Sequence, residues 1–278
     1  MNQRTINKEL SFSGKGLQSG KEAKVACMPA APDTGIVFCR GDLAGRPSFR
    51  IGGMAVKNGP ERRSTAGFEE VYIQTVEHLM AALWGLGIDN MFIDVSGEEL
   101  PALDGSALGF LDILTDAGIK HQDAPRNIVK VLEPVKIEEK NASITIIPGG
   151  GLEISYTITY DCPSIPDETF SIKLDRDSFR NEIAPARTFC LKKEAEALLK
   201  AGLGRGADYQ NTLVMDDEGP VGTKLRFPNE PVRHKILDLV GDLYMLGVFI
   251  EGKIIAVRSG HRMNAMLVRA IAEKYCVC

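Results

Sequence analysis

The spacing of apolar residues along the chain separates helices from strands. "TVEHLMAALWGLGI", from Thr75 to Ile88, carries apolar residues three and four apart, the spacing of one helical face. "NMFIDV" alternates and predicts a strand, "SG" predicts a turn, and "SALGFLDILTDAG" predicts a second helix. The same succession returns late in the chain as the helix "VRHKILDLVGDLYMLGV", the strand "KIIAV", the turn "RSG" and the helix "NAMLVRAIAEK". Both leading helices bear a histidine, His78 and His234. The stretch from His78 to Gly97 is shorter than that from His234 to Gly260, so register is not kept. The shared order still predicts two similar α+β units.

The remaining elements fill in around these. "KELSFSGKGL" and "KVACMPA" predict short strands near the start. "KHQDAPRN", from Lys120 to Asn127, is polar and contains a proline, and it reads as a linker between a first domain over 1–122 and a second over 127–278. The second domain opens with the alternating strands "IVKVLEPVKIEE" and "ASITIIP", then "GLEISYTITY" after the Gly149–Gly151 turn. "LKKEAEALLKAGLGRG" predicts a short helix closed by glycines, inserted into that domain. "SGKGLQSGKE" superficially looks like a phosphate-binding loop, but five residues rather than four separate Gly14 from Gly20. Glu22 also stands where a Ser or Thr should meet magnesium, so the stretch predicts a hairpin.

Composition narrows the class. With 278 residues the chain suffices for one large domain or two ordinary ones, and 44% hydrophobic with 25% charged content argues against disorder and coiled coil. A net charge of −4 with scattered Lys and Arg argues against nucleic-acid binding. None of the six cysteines forms a C-x-x-C pair, and the single close couple, Cys276 and Cys278, does not make a structural zinc site. "MNQRTINKELSFSGKG" lacks the apolar core of a signal peptide. The most apolar stretch, Ile236 to Ile250, is too short for a membrane span and is broken by Asp238 and Asp242. The expectation is a reduced, cytoplasmic, monomeric protein without membrane insertion.

The candidate chemistry gathers on the two leading helices. His234, Asp238 and Asp242 recur at intervals of four, which stacks an imidazole and two carboxylates into one stripe on an otherwise apolar helix. Such a stripe faces solvent or surrounds something positively charged, and spacing alone leaves both open. In the second case His234 and Asp238 can ligate a metal from consecutive turns, with His78 of the matching helix as third ligand and a fourth position left for water. A His₂Asp set without thiolate suits Zn²⁺ that activates water. Glu77, about 100° round the helix from His78, could act as general base without ligating. His261, after "RSG", could serve as the acid or as a cation beside an oxyanion, with Asp242 holding its tautomer. His121 falls in the linker and reads as a solvated bystander.

The motifs "TVEHLMAALWGLGIDN", "LPALDGSALGF", "ARTFC", "GLGRGADYQNTLV", "NEPVRHKILDLVGDLYMLG" and "SGH", with "IPDETF" less clearly, resemble the UDP-3-O-acyl-N-acetylglucosamine deacetylases, zinc amidases of lipid A synthesis. The likeness runs essentially end to end. It implies an α+β fold of two β-α-α-β domains with helices sandwiched between two sheets, and a βαβ insert near 191–206 that forms an apolar passage for the acyl chain. By position it implies His78, His234 and Asp238 as zinc ligands, Glu77 as base and His261 as acid. Thr188 would stabilise the oxyanion, Lys235 would lie near substrate and oxyanion, and Asp242 would partner His261. Phe189 would lie by the sugar nucleotide, and Leu198, Leu199 and Leu203 would line the passage. The implied reaction, an early committed step of lipid A synthesis, hydrolyses the N-acetyl group of UDP-3-O-(3-hydroxyacyl)-N-acetylglucosamine, with Fe²⁺ as an alternative ion. A non-catalytic sugar-nucleotide-binding module on the same scaffold, or a zinc peptidase, are the competing readings. The former predicts no bound metal, and the latter no need for an apolar passage.

Overall fold

The computed structural model, which describes residues 1–52, 55–57 and 62–275, contains two sheets wired in the same way. The first runs β2 (Leu10–Lys15), β3 (Glu22–Pro29), β9 (Met91–Val95), β4 (Ile36–Arg40), β5 (Ser48–Arg50). The second runs β12 (Val135–Glu139), β13 (Ala142–Ile147), β19 (Phe249–Val257), β14 (Leu152–Ile158), β15 (Glu168–Leu174). In both, the central strand is antiparallel to one neighbour and parallel to the other, and the outer pairs are antiparallel. A short strand, β11 (Ile128–Lys130), also pairs with β19. Each central strand lies between two helices in the chain. They are α1 (Glu77–Leu86) and α2 (Leu108–Asp116) in the first half, α5 (Glu230–Tyr244) and α6 (His261–Tyr275) in the second. The repeated order expected from the apolar pattern is therefore present as repeated topology, in a mixed α+β fold.

Alternation explains which faces are covered. Along β3, Ala23, Val25 and Cys27 are buried between more exposed neighbours, and along β9 Met91, Ile93 and Val95 turn inward while Phe92 faces out. The rings of Phe12 and Phe110 meet at 5.8 Å and seat α2 on the first sheet. In the second half α5 packs on β14 and β15, and α6 on β12 and β13. The halves join helix to helix, α1 against α5. At this crossing a Cβ on Gly241 would stand 2.0 Å from the backbone oxygen of Glu77, so the approach needs a residue without a side chain. One continuous core runs through both halves, including Val25, Leu79, Ile93, Leu237 and Ile254. Each such side chain contributes about 1.5–3 kcal/mol on burial.

Smaller elements complete the frame. "SGKGLQSGKE" is the β2–β3 hairpin, as its failed loop spacing implied. The presumed linker is a correction: most of it is strand β10 (Ile119–Pro125), antiparallel to β1 (Asn2–Ile6). Polar composition misled there, because a two-stranded ribbon is held by backbone hydrogen bonds and can leave its side chains, exposed His121 among them, in water. A three-stranded sheet of β6 (Val56–Lys57), β7 (Thr65–Phe68) and β8 (Val71–Gln74) directly precedes α1. Helix α3 (Arg176–Ser178), capped by Asp175, runs into a π-helical turn over Phe179–Ile183. Then β16 (Phe189–Leu191), α4 (Lys192–Lys200) and β17 (Leu213–Asp216) form a parallel βαβ unit extended by β18 (Gly219–Val221). That unit is wider than the expected 191–206, since its flanking strands are too short to announce themselves in the sequence. Cys27, Cys39, Cys162 and Cys190 are free thiols, while Cys276 and Cys278 lie outside the described residues. Among the described residues no helix is long and apolar enough to cross a membrane.

Candidate metal centre and active site

The buried environment of α5 decides between the two readings of its polar stripe. Apart from Arg233 and Lys235, every residue of the helix is buried, including His234, Asp238 and Asp242. A polar stripe so far removed from bulk water needs partners of its own. His78, His234 and Asp238 supply one another's surroundings. His234 Nε2 lies 3.2 Å and His78 Nε2 3.7 Å from Asp238 Oδ1, and the two rings cross at 83° with centroids 5.1 Å apart. One ligand atom from each residue falls within 4.8 Å of the others.

Two further observations test whether a cation fits. Asp238 Oδ1 is buried and accepts no hydrogen bond from the described residues, an expensive arrangement for a carboxylate oxygen unless something positive occupies the gap. His234 Nδ1 donates to the Ala186 carbonyl at 3.0 Å, which assigns the proton to Nδ1 and leaves the Nε2 lone pair facing the gap. Burial pushes the His234 pKa down to about 3, against the pull of Asp238, so the ring is neutral as a ligand must be. Burial acts to raise the Asp238 pKa, but His234, Lys235 and His261 outweigh it and hold the carboxyl well below the usual range. The set fits a divalent ion such as zinc, whose bonds of about 2.0–2.2 Å place neighbouring ligand atoms a little over 3 Å apart.

The turn into α1 delivers the next group. Thr75 has a left-handed backbone, φ 56°, and its hydroxyl donates to buried Glu99 at 3.0 Å. That strained turn is held by the fold and sets Glu77 and His78 in the first turn of the helix. Glu77 Oε2 accepts the Ser64 backbone N–H at 3.1 Å, and burial raises the carboxyl's pKa, partly opposed by His261 and His78. On the far side His261 Nδ1 lies 2.9 Å from Asp242 Oδ2, while its Nε2 is 3.7 Å from Asp238 Oδ2. Burial alone would lower the His261 pKa, but Asp242, Asp238 and Glu77 lift it to about 9. Asn264 donates to Asp242 Oδ2 at 2.8 Å, and Ser64 Oγ donates to Asp242 Oδ1. Sequence reasoning missed Ser64 and Asn264, as neither shares a helical stripe with the groups it serves.

Ser64, Glu77, His78, His234, Asp238 and His261 open onto one cavity of about 1070 Å³. Thr188, Phe189, Lys235 and Leu198 line it as well. Thr188 is pinned through its backbone, its N–H to Gly105 and its carbonyl to Leu213, both at 2.8 Å. Gly105, at φ 75°, passes so close to Asn211 that a Cβ would overlap the Asn211 carbonyl. Lys235 Nζ donates to Asp238 Oδ2 at 2.6 Å. Its pKa is raised because Asp238, Tyr160 and Tyr156 outweigh burial. The ring of Phe189 stands between Tyr160 and His234, with centroids 5.3 and 6.3 Å away. Of the three leucines expected along a passage, Leu198 lines this cavity, whereas Leu199 is 57% exposed and neither it nor Leu203 is in the lining. Leu199 lies about 100° round α4 from Leu198 and so turns to solvent. Leu17, Leu191 and Ala207 line the cavity instead, together with the cations Arg62, Arg63, Lys140, Arg258 and Arg262.

Comparison with known proteins points to a single family. A protein named UDP-3-O-acyl-N-acetylglucosamine deacetylase from Thermodesulfovibrio yellowstonii is 39% identical over 278 residues, spanning 99% of this chain and 93% of the relative. Same-named proteins from Chlamydia abortus (41% over 273 residues, 98% and 97% covered) and Actinobacillus succinogenes (39% over 274 residues, 98% and 90% covered) are also similar. The sequence model for UDP-3-O-acyl N-acetylglycosamine deacetylases, LpxC, matches residues 3–273. With that match spanning nearly its whole length, the chain belongs to the UDP-3-O-acyl N-acetylglycosamine deacetylase family.

Proposed function

We propose that this protein is a metal-dependent amidohydrolase that removes the N-acetyl group of UDP-3-O-(3-hydroxyacyl)-N-acetylglucosamine, releasing acetate and a free 2-amine for lipid A synthesis. The observation that carries the reading is the unpartnered, buried Asp238 Oδ1 between two imidazole Nε2 atoms. The names of the relatives supply the substrate. The His₂Asp set suits Zn²⁺, and Fe²⁺ accepts the same N and O ligands. Such an ion, when bound, supplies Lewis acidity that makes water a nucleophile near neutral pH and polarises the amide carbonyl.

The chain's own groups do the rest. Glu77, its Oε2 tethered by Ser64 N–H, takes the proton of the attacking water, and its raised pKa makes it a stronger base than a free carboxylate. The Thr188 hydroxyl and the Lys235 ammonium stabilise the tetrahedral oxyanion. His261, with Nδ1 bound to Asp242, donates a proton from Nε2 to the departing amine. Leu17, Leu191 and Leu198 offer an apolar wall for the acyl chain, and Arg258, Arg262 and Lys140 offer positive charge for a diphosphate. The test is acetate release from acylated and non-acylated UDP-N-acetylglucosamine by protein loaded with zinc. Release from the acylated substrate, much reduced without the acyl group and absent after chelation, is expected. Substrate binding without acetate release would overturn the reading.

A further inference from the structure

Ser64 touches both ends of the proton path with different atoms. Its backbone N–H donates to Glu77 Oε2 at 3.1 Å, its hydroxyl donates to Asp242 Oδ1, and its Oγ lies 3.1 Å from His261 Nδ1. The residue is 6% exposed and directly precedes β7, the middle strand of the three-stranded sheet ahead of α1. We propose that Ser64 is a positioning residue that fixes the proton of His261 on Nδ1 while holding Glu77 in place, so that Nε2 alone faces the reaction.

A donor count supports the assignment. A serine hydroxyl has one proton, and an ionised carboxylate can only accept. With that proton committed to Asp242, the Oγ presents only lone pairs to the imidazole. It can therefore accept from Nδ1–H and cannot donate to a bare Nδ1. Asp242 Oδ2 makes the same demand on Nδ1 at 2.9 Å. Asp242 in turn is turned toward the ring by Asn264 Nδ2, whose own Oδ1 accepts from Ser259 at 3.1 Å. Alanine at position 64 would keep the tether to Glu77, which is backbone, and delete only the side-chain arm.

The inference rests on the deacetylase reading, and its test separates the two. Ser64→Ala should lower kcat about tenfold or more with KM and metal content unchanged, and Ser64→Thr, which keeps the hydroxyl, should restore most of it. Nitrogen-15 NMR of the histidines in metal-free protein, at alkaline pH where the rings are neutral, should show His261 protonated on Nδ1. In Ser64→Ala that tautomer should lose population. Wild-type kcat in Ser64→Ala, or a wild-type His261 carrying its proton on Nε2, would overturn the proposal. The tautomer measurement on the unmodified protein decides the matter even if Ser64→Ala does not fold. Glu77→Gln serves as the control: if it turns over normally the deacetylase reading itself fails, whereas an inactive Glu77→Gln beside a fully active Ser64→Ala removes only the role of Ser64.

Discussion

The two oxygens of Asp238 have different duties. Oδ2 accepts from Lys235 at 2.6 Å, while Oδ1 faces His78 and His234 with no donor of its own. Removing the carboxylate removes a candidate ligand, so Asp238→Ala should purify without stoichiometric metal by elemental analysis. Glu77→Gln should keep the metal and lose about 10²–10⁴ in kcat, since only the proton acceptor is gone. Retention of full metal by the first variant, or of turnover by the second, would show the roles to be wrongly divided. His261 carries the pH dependence. Its pKa is lifted chiefly by Asp242, and with the protonated ring as the proposed acid, activity should fall as pH rises through that pKa. Asp242→Asn removes the largest raising influence and should move the alkaline limb of kcat to lower pH. An unmoved limb would detach His261 from that limb.

At the scale of elements, the crossing of α1 and α5 is set by Gly241. Alanine there would push against the Glu77 backbone and part the helices that bring His78 to His234. Gly241→Ala should cost about 1–3 kcal/mol in denaturant unfolding and weaken metal affinity with it, against the general rule that alanine improves a helix. A variant as stable as wild type would mean that the crossing relaxes freely. This element scale also marks what could be read from sequence. The helices α1 and α5 stood out because long apolar periodicity is a strong signal, and it placed Glu77, His78, His234 and Asp238 without any coordinates. The strand β10 did not, because its pairing is a backbone property that polar Lys120 and Asp123 do not reveal. Thr188 came only through family likeness, for nothing local to "ARTFC" points to the carbonyl of Gly105 that anchors it. Ser64 left no trace, since its partners lie 13 and 178 residues away.

Across the whole molecule, the candidate ligands come from both halves, His78 from one and His234 with Asp238 from the other. An ion that binds only the folded arrangement stabilises it by mass action, by about 2.7 kcal/mol at a hundredfold excess over Kd. Chelation should therefore lower the melting temperature by several degrees, and zinc should restore it. A melting curve indifferent to chelator would show that the ion does not tie the halves together. The two sheets share a wiring plan, yet the helices they present are not equivalent. Helix α5 carries Asp238 one turn beyond its histidine, whereas α1 has Ala82 at the matching place. The doubled architecture has thus become complementary rather than redundant. A slip of under an ångström where the two halves seat would be felt at once by the proposed chemistry, because the candidate grip on an ion belongs to neither half alone.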